Sequence, residues 1–198
     1  MLDLRRRMID EGARPLGWKL GFGAPAAMEK LGLDRPLVGF LTDRTLLPDG
    51  ATAHVGDWAK PMLEAEVAVR VGADGGIDGY AVAIELADLN PPPEEAEAIV
   101  AGNIFHKHVL LGPMREPAGD LTATLTRDGE QLGRTDHPTE LTGEYAQLVE
   151  VVREVAGVEL RPGDVIITGS IFPPVEVHPG ETLTAEVAPL GSVTVRIA

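Results

Sequence analysis

The sequence predicts an α+β fold, mostly β, from three observations. Apolar runs of strand length recur from residue 61 to the C-terminus, helical periodicity is confined to a few short segments, and the two do not alternate as βαβ units. At 198 residues with 44% hydrophobic content, the chain can close one core and has little material for another. We therefore expect residues 1–198 to form a single domain.

Leu2 to Glu11 can form a short amphipathic helix ending near Gly12, its arginines on a solvated face. Leu16-Gly17-Trp18-Lys19-Leu20-Gly21-Phe22-Gly23 is glycine-punctuated and apolar, the pattern of an extended segment packed close to other backbone. Ala24 to Leu31 suits a short helix, with Pro25 in the first turn and Gly32 at its end. Leu37 to Leu47 is expected as loop and short strand. Pro61 to Val69 and Tyr80 to Glu85 are strands joined by Gly72-Ala73-Asp74-Gly75-Gly76, a link short enough for an antiparallel pair. Pro93, Glu94 and Glu95 open a helix to about Ala101, the acids near its positive end. Leu121 to Thr126 and Gln131 to Arg134 flank Asp128-Gly129, a strong hairpin signal. Thr139 to Ala156 has helical period and closes at Gly157, and Val165–Thr168, Glu181–Val187 and Ser192–Ile197 complete the strands.

Composition removes several functional classes. Acidic residues outnumber basic ones 31 to 17, and a net charge of -14 repels the phosphates of nucleic acid. Cysteine is absent, so disulfides and thiolate metal sites are excluded and a hard metal must take oxygen ligands. No apolar stretch reaches membrane-spanning length and no signal-peptide core follows the N-terminus, which makes the cytoplasm the expected location. A small acidic substrate would need local positive charge from a metal, a lysine or backbone N–H groups.

The chemistry-bearing residues are few. In Leu63-Glu64-Ala65-Glu66-Val67, strand alternation sets Glu64 and Glu66 on one face and the apolar residues on the other. Two carboxylates so placed repel unless a cation, a proton or water intervenes. Glu85 closes the next apolar run and, if the strands are neighbours, completes either a three-carboxylate Mg²⁺ or Mn²⁺ site or a wet acidic edge. Lys19 either snorkels to solvent or faces an anion. Thr168-Gly169-Ser170, after an apolar strand, can grip a carboxylate or simply turn the chain. His106 and His108 are spaced for one strand face, as packed or surface residues or as acid/base groups or ligands. Gly21-Phe22-Gly23 is too short for a phosphate fingerprint.

Gly17-Trp18-Lys19-Leu20-Gly21, the segment from Pro36, Leu63-Glu64-Ala65-Glu66, Ala83-Ile84-Glu85-Leu86-Ala87-Asp88, Gly163-Asp164-Val165-Ile166-Ile167-Thr168-Gly169-Ser170 and Leu190-Gly191-Ser192-Val193 follow one another in a recognisable order. In them the chain resembles the fumarylacetoacetate hydrolase superfamily, in its 2-keto-4-pentenoate hydratase and oxalocrotonate decarboxylase branch. The resemblance covers nearly the whole chain and implies a fold like that family's C-terminal domain, around a large mixed sheet. It implies a divalent metal, Mg²⁺ or Mn²⁺, on Glu64, Glu66 and Glu85, with Lys19 at a substrate carboxylate and Thr168, Gly169 and Ser170 holding the acid. His106 is a candidate proton donor. Against the family's pattern we expect the helical N-terminal portion to be largely missing; Gly102 stands where the family usually has an aspartate, and Asp88-Leu89-Asn90 replaces Asp-Ser-Arg.

The implied activity is a metal-dependent lyase, a hydratase adding water to a 2-hydroxydienoic or 2-oxo-alkenoic acid in aromatic compound catabolism. The alternatives are a 2-oxo acid decarboxylase or acylpyruvate hydrolase on the same site, or a non-catalytic partner of an active paralogue. The expected partners are a small anionic 2-oxo acid and a second copy of this chain or a paralogous subunit, with no nucleic acid and no membrane.

Overall fold

A computed structural model describes residues 1–90, 95–116 and 120–198. In chain order the elements are α1 (Leu2–Asp10), β1 (Pro15–Gly21), α2 (Pro25–Leu31), β2 (Leu37–Thr42), β3 (Leu46–Leu47), β4 (Thr52–Ala53), β5 (Pro61–Val71), β6 (Ile77–Asp88), α3 (Ala96–Ala101), β7 (His106–Leu111), β8 (Thr122–Arg127), β9 (Glu130–Thr135), α4 (Tyr145–Ala156), β10 (Val165–Ser170), β11 (Val175–Glu176), β12 (Thr182–Ala188) and β13 (Gly191–Ile197). The fold is the expected α+β, mostly β architecture.

Two sheets carry it. The larger runs β2-β1-β10-β5-β6-β7-β3, with β11 also on β5, and is mixed: β1 pairs parallel with β10 and β3 with β7, and its other pairs are antiparallel. The smaller runs β4-β13-β12-β8-β9. Alternation along the β5–β6 hairpin divides its side chains. Leu63, Ala65, Val67, Val82, Ile84 and Leu86 join Leu183, Ala185, Val187, Val193 and Val195 of the smaller sheet in one buried core. The opposite face carries Ala68, Ala81 and Ala83, packed with Leu41, Val109 and Ile167, and the acids beside them. A satellite cluster of Leu37, Ile99 and Ile104, joined by Phe22, Leu31 and Phe105, ties α2 and α3 to the edge of the larger sheet.

Two expectations are sharpened. Within Leu37 to Leu47, expected as loop and short strand, Leu37 to Thr42 is one fully buried strand, because α3 and α4 pack against β2 and remove the half-exposed alternation by which a strand is recognised. The helix expected from Thr139 starts at Tyr145: Gly143 sits at φ +94°, which no helix accommodates, and residues 138–142 are turns. That turn carries Leu141 and Thr142 to the cavity described below. For the helix expected from Pro93, Pro93 and Glu94 lie outside the described residues, and α3 is described from Ala96.

Candidate metal centre and its cavity

The antiparallel register of β5 and β6 sets Glu85 directly opposite Glu64, with Glu66 two residues along the same face. Each of the three offers an oxygen within 4.8 Å of the others. Glu66 and Glu85 are buried, whereas Glu64 is half-buried and lines a cavity of about 390 Å³. Strand proximity therefore resolves the choice left open by Glu-Ala-Glu alone: this is an enclosed acidic cluster, not a wet edge.

Lys19 does not snorkel. It is 2% exposed, and Nζ donates to Glu85 Oε1 and to the Ile104 carbonyl at 3.2 Å. Its stem crosses Gly39 of β2, where a Cβ would stand 2.8 Å from Lys19 Cγ and 2.8 Å from Asn103 Oδ1, so the backbone there must be glycine.

Asn103, Ile104 and Phe105 are three consecutive left-handed residues, at φ +56°, +53° and +61°. Such a run costs about 1–2 kcal/mol per residue. Asn103 offsets part of it with two bonds to β2: Oδ1 accepts from the Phe40 N–H at 2.8 Å, and Nδ2 donates to the Phe40 carbonyl at 3.0 Å. The turn aims the Ile104 carbonyl at Lys19 and brings Ile104 and Phe105 to the cavity wall. Sequence reasoning missed it. The available signal was an asparagine, tolerant of left-handed backbone, directly after a helix-ending glycine.

His106 stands behind Glu85. Its Nδ1 donates to Glu85 Oε1 at 2.7 Å and its Nε2 meets Thr45 Oγ1 at 3.0 Å, with the side chain 1% exposed. It is not among the described residues lining the cavity, so it orients a carboxylate rather than facing a ligand. His108 stacks on Trp58, with ring centroids 5.9 Å apart. The Thr168-Gly169-Ser170 turn lines the cavity but spends its polar groups on protein. A register shift in β10 lets the Gly169 N–H donate to Glu66 Oε2 at 2.7 Å. Thr168 Oγ1 donates to the Val67 carbonyl at 2.9 Å, and Ser170 Oγ to the Phe172 carbonyl at 2.6 Å.

Burial, then the charge of Glu85, pushes the Glu64 carboxyl up to about 7, with Lys19 opposing. The same burial, with Glu85 and Glu64 as like-charged neighbours, raises Glu66 well above the usual carboxylate range. Burial also pushes Glu85 up, but Lys19 and His106 outweigh it and leave that carboxyl low. Burial holds His106 below the ordinary histidine value against the pull of Glu85. The neutral ring therefore keeps its hydrogen on Nδ1 and takes one from Thr45. Glu66 Oε1 is buried without a hydrogen-bond partner among the described residues. An orphaned oxygen, two further carboxylates within reach and all-oxygen donors fit a hard divalent cation.

The model of the fumarylacetoacetate (FAA) hydrolase C-terminal family matches residues 24–198. The chain belongs to this family. Among similar sequences, a 2-keto-4-pentenoate hydratase of Burkholderia vietnamiensis is 31% identical, covering 96% of this chain and 80% of its own length. A 4-oxalocrotonate decarboxylase of Pseudomonas putida is 27% identical, covering 98% and 81%. Among solved structures, 4-oxalocrotonate decarboxylase from Pseudomonas putida G7, complexed with magnesium and adipate, superposes with a TM-score of 0.88 at 24% identity, over 100% of this chain and 83% of that one. A fumarylpyruvate hydrolase from Pseudomonas aeruginosa with Mn²⁺ and pyruvate gives 0.70 at 20% identity, over 93% and 89%. Both structures share the fold. Among the described residues, no helix is long and apolar enough to cross a membrane.

Proposed function

We propose that this family member is a hydro-lyase dependent on Mg²⁺ or Mn²⁺ that adds water to a 2-hydroxydienoic or 2-oxo-alkenoic acid. The observation that carries this reading is the convergence of Glu64, Glu66 and Glu85 beside Lys19 at a cavity of about 390 Å³. The three carboxylates would hold the ion. When bound, it supplies Lewis acidity toward the carboxylate and 2-oxygen of such an acid.

The protein's own groups divide the remaining work. Gly169 fixes one oxygen of Glu66, and His106 and Lys19 fix one oxygen of Glu85, so the acids are held in place before any ligand arrives. Lys19 has three N–H donors. Two are used by Glu85 and Ile104, which leaves one to donate to a substrate oxygen at the cavity. Ile104, Phe105 and Leu148 give the wall around these groups an apolar surface, which lowers the local dielectric and strengthens these interactions.

A decarboxylase on the same site is the second reading, favoured by the 27% identity to the Pseudomonas putida enzyme along nearly the whole chain. Purified protein with Mg²⁺ or Mn²⁺ should consume 2-hydroxypenta-2,4-dienoate, followed by ultraviolet absorbance, and yield a 4-hydroxy-2-oxo acid. Release of CO₂ from a 2-oxo dioic acid without hydration would select the second reading. Failure of both with the metal bound would reject a lyase.

A further inference from the structure

The charge on the cavity wall is clustered: Lys19 and Glu64, the charged side chains among the described lining residues, both lie beside Glu85. Beyond Lys19 and Glu64 its wall is formed by Phe22, Leu89, Phe105, Leu141, Leu148 and Phe172. Lys19 is the one cationic side chain among the described lining residues, and it is already engaged by Glu85. Thr168 and Ser170 donate to backbone carbonyls, so Thr142 Oγ1, buried without a partner among the described residues, is the remaining neutral hydroxyl on the wall.

Resting on the reading of this site as a 2-oxo acid site, we propose that the cavity selects 2-oxo monocarboxylates with an extended apolar tail and rejects those whose tail ends in a second carboxylate. Three ionised carboxylates, one ammonium and a divalent cation sum to zero charge. The chelating carboxylate of a ligand then brings one negative charge, placed against the cation and Lys19. A second carboxylate at the far end would lie among aromatic and leucine side chains, where one hydroxyl cannot offset its lost hydration. An apolar tail there gains roughly three- to fourfold in affinity per buried methylene. At about 390 Å³ the cavity falls in the range of small-molecule sites and accommodates such a tail.

The test is calorimetric binding of saturated, non-reacting 2-oxo acids to the Mg²⁺-loaded protein. Affinity should rise from 2-oxobutanoate through 2-oxohexanoate to 2-oxooctanoate. 2-Oxoadipate, with the six carbons of 2-oxohexanoate, should bind at least about tenfold more weakly than it. Ala27→Arg and Leu89→Arg each place a cation on the wall at a partly exposed position, and should narrow or reverse that preference. Equal or tighter binding of 2-oxoadipate by the unaltered protein overturns the selectivity while leaving a 2-oxo acid site standing. Mg²⁺ binding with no 2-oxo acid binding overturns the reading of the site and the proposal with it.

Discussion

Lys19 and Glu85 form a buried ion pair at the wall of the cavity, their side chains 3% and 1% exposed. They come from strands that are not neighbours: β1 and β6 are separated by β10 and β5, and the lysine spans the sheet face between them. Breaking a buried pair from one side leaves the other charge stranded. Lys19→Met should therefore lower the stability of the metal-free protein by about 3–5 kcal/mol in urea unfolding. It should also abolish 2-oxo acid binding while Mg²⁺ still binds. A variant that binds 2-oxo acids as well as the parent would remove Lys19 from the ligand site.

Substitution of the carboxylates tests the metal centre directly. Glu64→Gln, Glu66→Gln and Glu85→Gln should each weaken Mg²⁺ or Mn²⁺ binding by on the order of 100-fold or more, the upper end of what removing a supporting residue costs. Calorimetry with unchanged affinity in all three would eliminate the site.

His106→Phe retains the packing volume and removes the bond to Glu85. Metal affinity should fall about 10- to 100-fold, because the ring orients a ligand without touching the ion. An unchanged metal affinity with a lost pH-dependent step in turnover would instead make His106 a proton carrier.

The raised carboxyls set a pH dependence of known sign. Folded Glu64 keeps its proton up to about 7, whereas the unfolded chain releases it near 4.5. The unfolded state thus binds fewer protons across that interval, so this group lowers the stability of the metal-free protein as pH rises from about 4.5 to about 7, with no further change above. Metal binding needs the ionised forms, so Mg²⁺ affinity should climb over the same interval and binding at pH 6 should release protons. Calorimetry in two buffers of different ionisation enthalpy reads that release; identical heats would refute it.

The left-handed turn gives a stability prediction. Asn103→Ala removes both bonds to Phe40, each worth about 0.5–1.5 kcal/mol, and leaves alanine at φ +56°. A loss of roughly 2–4 kcal/mol should result once the left-handed penalty is included. Asn103→Gly accepts the backbone angle and should lose less. Equal losses would show that the side-chain bonds alone matter.

The mostly β α+β class, the β5–β6 hairpin, the hairpin at Asp128-Gly129 and the sharing of one strand face by Glu64 and Glu66 were legible in the chain, because each follows from local periodicity or turn chemistry within a few residues. The order of its motifs pointed to the family. What each polar group touches was set by the packing of distant strands and turns. Lys19 lies 66 positions from Glu85, Gly169 lies 103 from Glu66, and Asn103 lies 63 from Phe40. No local pattern encodes such pairings, since they depend on strand order, on the bulge in β10 and on a left-handed turn closing over Gly39. The same holds for burial, which turns two repelling carboxylates into proton-holding groups and places His106 behind its partner: alternation assigns a side chain to a face, and only the packing of the other elements decides whether water reaches it.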